Sequence, residues 1–381
     1  MKILIVGAGI GGLSAAIALC KAGHVVTLIE REAHFAPLGA GIVLAPNASR
    51  VLTFLGVALE PHAAPVRSLD VVRPDGTLLS RVDTERLASV YGQTLAFARP
   101  RLHDALCAAL PSDVELRMGA AAASIRPQSD RVEVTFEDGG AQSYDLVIGA
   151  DGLRSSVRAQ VIGEARYRYS GVTCYRGLVR NPGIERALEA WGGETRVGVV
   201  PLRDDQLYYF LVRSAPPRAP AQSLSALREL YGQFRGDVGK LFDVLDSAPP
   251  LHHDLDELEA PVWGVPRVLL LGDAAHGLTP NQGQGAAMAI EDALAVTSSL
   301  AQGVSGALER YTAMRHARVR TVQLDSRRVG QVAHIANPVV SWLRDGALRM
   351  MPDFAMLAQY RKIVQPGLDL VQQVATAQAR A

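Results

Sequence analysis

The residues best placed to do chemistry in this sequence are a carboxylate after an apolar run and two glycine clusters. Asp273 follows the run 268–271, which reads as a buried parallel strand. Its carboxylate is therefore predicted at a strand's carboxyl end, where open α/β sheets bind ligands, and there it can hold sugar hydroxyls. Pro280 follows in a loop. Gly283, Gln284 and Gly285 then open a small-residue helix predicted to begin near Ala286 and Ala287. Glycines at a helix start let free backbone N–H groups approach an anion or a developing negative charge.

The second cluster is Gly7-Ala8-Gly9-Ile10-Gly11-Gly12. A predicted strand at 3–6 precedes it, a helix at 13–22 follows, and a second strand at 25–30 ends on Glu30. This is G-x-G-x-x-G in its proper context. Gly7 makes the tight turn, Gly9 admits a pyrophosphate, and Gly12 lets helix and strand pack closely. Glu30 stands about 20 residues on, where the fingerprint's acid grips ribose hydroxyls. The unit by itself does not choose between FAD and NAD. The remote Asp273 site favours FAD, because one cofactor spanning both must be long. Arg31 either flanks the adenine or is simply solvated.

Gly272, Asp273, His276, Pro280, Gly283, Gln284, Gly285, Glu291 and Asp292 together resemble the second flavin motif of class A, single-component aromatic hydroxylases of the p-hydroxybenzoate hydroxylase-like superfamily. Two more family motifs occur in order. Arg99, Leu102 and Leu106 resemble the return to the flavin domain, and Asp151, Gly152, Ser155 and Arg158 resemble the DG motif. Ser170-Gly171-Val172-Thr173-Cys174-Tyr175-Arg176 and Trp342-Leu343-Arg344-Asp345 resemble alkylquinolone hydroxylases in particular. The resemblance implies that Asp273 binds the ribityl chain, Pro280 lies against the flavin ring, and the Gly283–Gly285 backbone faces its pyrimidine edge. It implies that Arg99 contacts the FAD phosphates or ribityl chain and that Ala122 lies near the adenine. It places Val43, in Gly39-Ala40-Gly41-Ile42-Val43, beside the flavin, although a plain turn before a helix reads the same residues. Asp151 is expected to pair with an Arg or to cap a helix. Arg196 and Tyr208 align with substrate-facing positions of urate-hydroxylating relatives. The implied reaction uses NAD(P)H to reduce FAD. A flavin C4a-hydroperoxide then hydroxylates a planar aromatic or heteroaromatic molecule with one atom of O₂. A flavin reductase or dehydrogenase without oxygen activation is the alternative, and a flavin-bound regulatory protein a third.

These residues need an α/β scaffold, and the rest of the chain supplies one. Its 381 residues, 48% hydrophobic, suffice for two domains. A discontinuous Rossmann-type FAD-binding domain is expected at 1–65, 98–170 and 264–330. An inserted β-sheet substrate domain is expected at 66–97 and 171–263, and a C-terminal helical cap of short apolar helices at 331–381. In the inserted domain, Arg203-Asp204-Asp205 reads as the turn of a hairpin carrying Arg196 and Tyr208. The helix at 307–329 is rich in arginine and reads as solvated. The 331–381 helices are read as capping the substrate domain, with contact with lipid or a greasy substrate as the alternative.

A net charge of +1 gives no pull toward nucleic acid. The three cysteines fit neither a disulfide framework nor a metal site and point to a reducing cytoplasm. Adjacent His252 and His253 face opposite ways on a strand, which argues against a metal pair. Lys2 and the apolar run to Cys20 superficially resemble a signal peptide, but the glycines account better for the same residues. No apolar run reaches the roughly 18 residues of a bilayer span.

Overall fold

Short apolar runs pair into a six-stranded sheet in the order Gly264–Val265, Val268–Leu270, Leu146–Gly149, Lys2–Val6, Val25–Glu30 and Glu115–Met118. All neighbours are parallel except the edge pair Gly264–Val265 and Val268–Leu270. The computed structural model describes residues 1–35, 40–245 and 250–380, so Gly39 of the predicted flavin-side loop lies outside the described residues. Leu146–Gly149 and Val268–Leu270 are buried throughout, as central parallel strands covered by helices must be. The helices Ile10–Lys21 and Gly285–Leu300 supply that cover and pack on each other. The turn into the first helix is as tight as the glycines imply. Gly7 has φ +103°, and a Cβ at Gly12 would lie 1.9 Å from the Gly7 carbonyl oxygen.

The residues 141–149 divide between two sheets. Ala141–Tyr144 closes an antiparallel meander with Val132–Phe136 and Ala122–Pro127, while Leu146–Gly149 joins the large sheet. Asp145 makes the break: its carboxylate accepts from the Lys2 N–H at 2.7 Å and its own N–H donates to the Lys2 carbonyl at 2.9 Å.

A seven-stranded sheet runs in the order Leu251–Leu258, Tyr167–Arg180, Gln206–Ser214, Thr195–Pro201, Ala187–Trp191, Ser68–Val72 and Leu78–Asp83. The expected hairpin forms, with Asp204 and Asp205 both at positive φ, 57° and 55°. Asp tolerates this conformation better than most residues. Alternation gives the sheet two faces. On the outer one Tyr175, Val197, Val199, Tyr209 and Leu211 pack against Leu227, Tyr231 and Phe234. The inner one carries Tyr208, Phe210, Arg176 and Val200.

Two expectations for the C-terminal third need correction. The C-terminal helices are not all short: Pro338–Arg349 is followed by the 28-residue Asp353–Arg380, which packs on Pro46–Phe54 and Gly285–Leu300. The arginine-rich helix, Ala307–Ala333, is not simply solvated either. Arg315 is 3% exposed and donates to Glu291 at 2.6 Å and Asp292 at 2.7 Å, both fully buried. Arg318 reaches Glu291 at 3.3 Å, and Arg327 holds the buried Glu257 at 2.5 Å. Buried carboxylates need such partners, and the helix supplies them to Glu291 and Asp292 on one side and to Glu257 on another.

Burial alone would raise the Asp292 pKa, but His276 and Arg315 outweigh it and hold the group at about 2 against an ordinary 3.8. A depressed folded pKa means that the stability Asp292 contributes is present above pH ~4 and is lost as the pH falls toward 2. Arg315→Met strands two buried carboxylates. It is expected to cost ~3–5 kcal/mol in urea unfolding at neutral pH. A cost below ~1 kcal/mol would show that the cluster does not hold the helices.

Candidate functional site

A cavity of about 1300 Å³ lies between the inner face of the seven-stranded sheet and the loops at the carboxyl ends of the parallel strands. The loop side carries the residues singled out in the sequence. Gly272 turns the chain at φ 58°, and Asp273 starts the short helix Asp273–His276 with its exposed surface in the cavity. Burial of its surroundings raises the Asp273 carboxyl, opposed by His276 and Arg99. Pro280 begins a 3-10 turn, Pro280–Gln282, that ends on Gly283 in the left-handed conformation. The helix Gly285–Leu300 then starts with no side-chain cap and no acidic residue in its first turn. The cavity is lined here by Pro280, Gly283, Gln284, Gly285 and Ala286, while Ala287 is buried behind them. The uncapped N–H groups of this turn are donors without a partner in the helix.

The glycine turn at the other end is built for an anion. A Cβ at Gly9 would meet nothing within 4 Å, and Gly9 lines the cavity. Glu30 accepts from the Ala8 N–H at 2.9 Å and lies past the turn. Ala120 donates to the Glu30 carbonyl at 2.8 Å, which brings Ala122 to the same end, where its carbonyl accepts from Gln160. Arg31 is solvent-exposed beside Glu32. Val43, on Gly41–Leu44, lines the cavity between the two ends. Arg99 also lines it, and its guanidinium has no protein partner among the described residues. Burial and the nearby Arg176 lower the Arg99 pKa, and Asp273 opposes them. An open glycine turn, an unpaired arginine, a carboxylate and an uncapped helix start, all lining one cavity, are the groups that the diphosphate, ribityl chain and ring edge of FAD call for.

The sheet side places Tyr208 and Arg196 on adjacent strands and on one face, since Arg196 pairs with Val212 and Val200 with Tyr208. Four residues of strand separate them, roughly 13 Å. Only Tyr208 lines the cavity. Burial raises its hydroxyl pKa, so it is a neutral donor at pH 7. Arg196 lies behind the wall, and each of its three nitrogens donates to protein: Nη1 to Glu189 at 2.9 Å, Nε to His334 at 2.8 Å and Nη2 to Asn281 at 2.8 Å. It thus ties the sheet to the loop carrying Pro280.

The expected Asp151–Arg pair is absent among the described residues. Ser155 is the N-cap of Ser156–Val161, accepting from the Arg158 N–H at 2.9 Å, and Asp151 adds to it from outside the helix, accepting from the N–H groups of Ser156 at 2.7 Å and Val157 at 3.1 Å. Arg158 is buried and donates to the carbonyls of Ala274 and Leu153 and to the Tyr167 hydroxyl.

Sequence reasoning passed over four residues at the site. Arg176 lines the cavity with a buried, unpartnered Nε. His253 lines it too, held at about 4 by burial and then by Arg176, and so is neutral. Glu189 presents a carboxylate whose Oε1 alone is engaged, by Arg196 and Trp191. Asn47 is buried and donates to Gln284 at 2.9 Å and Glu291 at 2.7 Å. Strand alternation was the available signal for Arg176, which shares its face with the cross-strand Phe210. Nothing local marks Asn47.

Asp273→Ala is expected to weaken FAD binding by roughly tenfold or more, since a hydrogen bond to a charged acceptor contributes ~1.5–3 kcal/mol. FAD retained through dilution and ultrafiltration measures it, and undiminished retention would remove Asp273 from the cradle.

A protein-family model described as FAD binding domain matches residues 1–325. The chain is 35% identical over 377 residues to the aurachin C monooxygenase/isomerase of Stigmatella aurantiaca, covering 96% of this chain and 98% of that one. It is 36% identical over 368 residues to the 2-heptyl-3-hydroxy-4(1H)-quinolone synthase of Pseudomonas aeruginosa, covering 93% and 95%. Among solved structures, Klebsiella pneumoniae HpxO complexed with FAD and uric acid matches with a TM-score of 0.88 at 26% identity, covering 96% and 97%. Motif, cavity and relatives agree: the chain belongs to the class A FAD-dependent aromatic monooxygenases, which use NAD(P)H to hydroxylate aromatic or heteroaromatic molecules.

Proposed function

We propose that the substrate is a planar heteroaromatic molecule carrying a carbonyl or anionic ring oxygen, of which a quinolone is the type. It would sit between the Pro280 loop and the inner face of the seven-stranded sheet. The observation that carries this reading is the polar set on that face. Arg176 offers a guanidinium with a free donor, and Tyr208 a neutral hydroxyl without a protein partner among the described residues. The surrounding wall is apolar, with Leu69, Val71, Val82 and Val200. A planar ring fits such a slot, and the two donors suit its oxygen. The quinolone synthase and the aurachin monooxygenase among the relatives support this choice of ring.

FAD, when bound, supplies the redox chemistry: it accepts hydride from NAD(P)H and activates O₂ for transfer of one oxygen atom. The protein's part is positioning and electrostatics. Asp273 and Arg99 would hold the ribityl and phosphate portions, and Gly9 would admit the diphosphate. The uncapped start of Gly285–Leu300 would stabilise negative charge at the ring's pyrimidine edge. Tyr208 and Arg176 would hold the substrate oxygen as an anion or strong acceptor, which raises electron density in the ring. Glu189 would take a ring N–H through Oε2. Arg196 acts through Glu189 and Asn281, as a positioning residue. His253 stays neutral and leaves Arg176 the cation on that side. The free cysteines support a reducing cytoplasm as the place of work.

With a quinolone as probe, one atom of ¹⁸O₂ is expected in the product and NAD(P)H is expected to be consumed one for one. Label arriving from water instead would overturn the oxygenase step. Tyr208→Phe is expected to lower kcat/KM by up to about tenfold with FAD content unchanged, the loss of one hydrogen bond to substrate. Unchanged kinetics would remove Tyr208 from the substrate site.

A further inference from the structure

The helix Pro338–Arg349 presents its polar stripe to the protein and its apolar stripe to the outside. Ser341, Arg344, Asp345 and Leu348 share the inward face by their i, i+3, i+4, i+7 spacing. Asp345 accepts from Arg73 at 2.6 Å, and Arg344 donates to the Val332 carbonyl and lies 5.3 Å over the Trp191 ring. Outward lie Val339, Trp342, Leu343 and Met350, each 57–79% exposed. Phe354 at 75% and Leu357 at 42% carry the apolar face onto the next helix. Water selects the opposite arrangement, and a continuous exposed apolar patch marks an interaction surface.

We propose that this face docks the enzyme on a lipid surface with anionic headgroups, lying in the interface without spanning it. Charge selects this occupant. Arg349 and Arg361 are exposed beside the apolar stripe and have no acidic partner among the described residues. Asp353 is the one exposed carboxylate between 338 and 362. An outward tryptophan with flanking arginines is the composition of an interfacial helix. Among the described residues no helix is long and apolar enough to cross a membrane.

The face also leads somewhere. Ala358 and Lys362 follow Phe354 along one stripe of Asp353–Arg380 and line a groove of about 420 Å³ against Ala307–Ala333. That groove shares Val329, Gln359 and Ile363 with the main cavity. The docked face therefore adjoins a groove that borders the main cavity. The docking itself does not depend on which substrate the cavity takes.

The test uses the full-length holoenzyme with phosphatidylcholine vesicles, with and without phosphatidylglycerol. Trp342 is 67% exposed while Trp191 and Trp263 are buried, so vesicle contact reads out as a blue shift of tryptophan emission from one residue. Cosedimentation with the anionic vesicles and a blue shift are expected. A Trp342→Gln, Leu343→Gln double variant should lose roughly tenfold in partitioning with FAD content unchanged. Arg349→Gln with Arg361→Gln should remove the preference for anionic vesicles. Absence of both sedimentation and blue shift would overturn the proposal. So would self-association in sedimentation velocity that the Trp342→Gln, Leu343→Gln variant abolishes, since a second copy would then cover the face.

Discussion

One guanidinium holds both sides of the cofactor cradle. Arg315 donates to Asp292, Asp292 accepts the Gly272 N–H at 2.9 Å, and that contact fixes the turn from which Asp273 projects. Arg315 also donates to Glu291, and Glu291 with Asn47 fixes Gln284, beside the uncapped helix start. Neither carboxylate would stay ionised in this interior unpaired. The cluster therefore couples three remote segments through charges that must all be present together. Its net contribution to stability is secondary. What it supplies is a unique geometry for a loop that otherwise consists of small residues with little packing of their own.

The seven-stranded sheet meets a different constraint. It has to be a core on one side and a binding wall on the other, and strand alternation is the only device required. Tyr209 and Tyr208 are neighbours in the chain, one packed beneath helices and the other lining the cavity. Phe210 reaches the cavity across Gly198, where a Cβ would lie 1.9 Å from its ring. The wall owes its flatness there to a missing side chain. Arg196, with each of its three nitrogens engaged, links this wall to the loop opposite, so the two sides of the cavity are held in register.

Much of this was legible in the chain because it is local. The strand, glycine turn and helix at 2–21 and the run from 268 to 292 are encoded in consecutive residues, and the structure places them as read. The Asp204-Asp205 hairpin was legible for the same reason. What escaped was pairwise and remote. A helix with many arginines looks solvated until its carboxylate partners are located, and those of Arg315 lie on another helix. Asp151 offered two outcomes from one motif, and the local one prevailed: it accepts first-turn N–H groups of the following helix, whose cap is Ser155, and needs no remote partner. The strand Glu115–Met118 is short, half exposed and at a sheet edge, so it lacks the apolar signature of its neighbours. Arg176 and Glu189 are ordinary strand residues in sequence, and only the register of three antiparallel pairings, Arg176 with Phe210, Phe210 with Gly198 and Gly198 with Glu189, brings them to one wall.

The order of segments in the parallel sheet has a consequence for how the protein is made. Lys2–Val6 emerges first, its neighbour Leu146–Gly149 much later, and Val268–Leu270 later still. Gly367, in the Asp353–Arg380 helix, comes within 2.6 Å of the Asn47 Cβ when its own Cβ position is built. The residue that orients Gln284 is thus buttressed by a segment remote from it in the chain. Contacts of such long sequence separation close last, and the half-built sheet meanwhile presents an unpaired edge. Until Val268–Leu270 pairs with it, Leu146–Gly149 keeps one side open to the edge-to-edge association that an incomplete sheet invites.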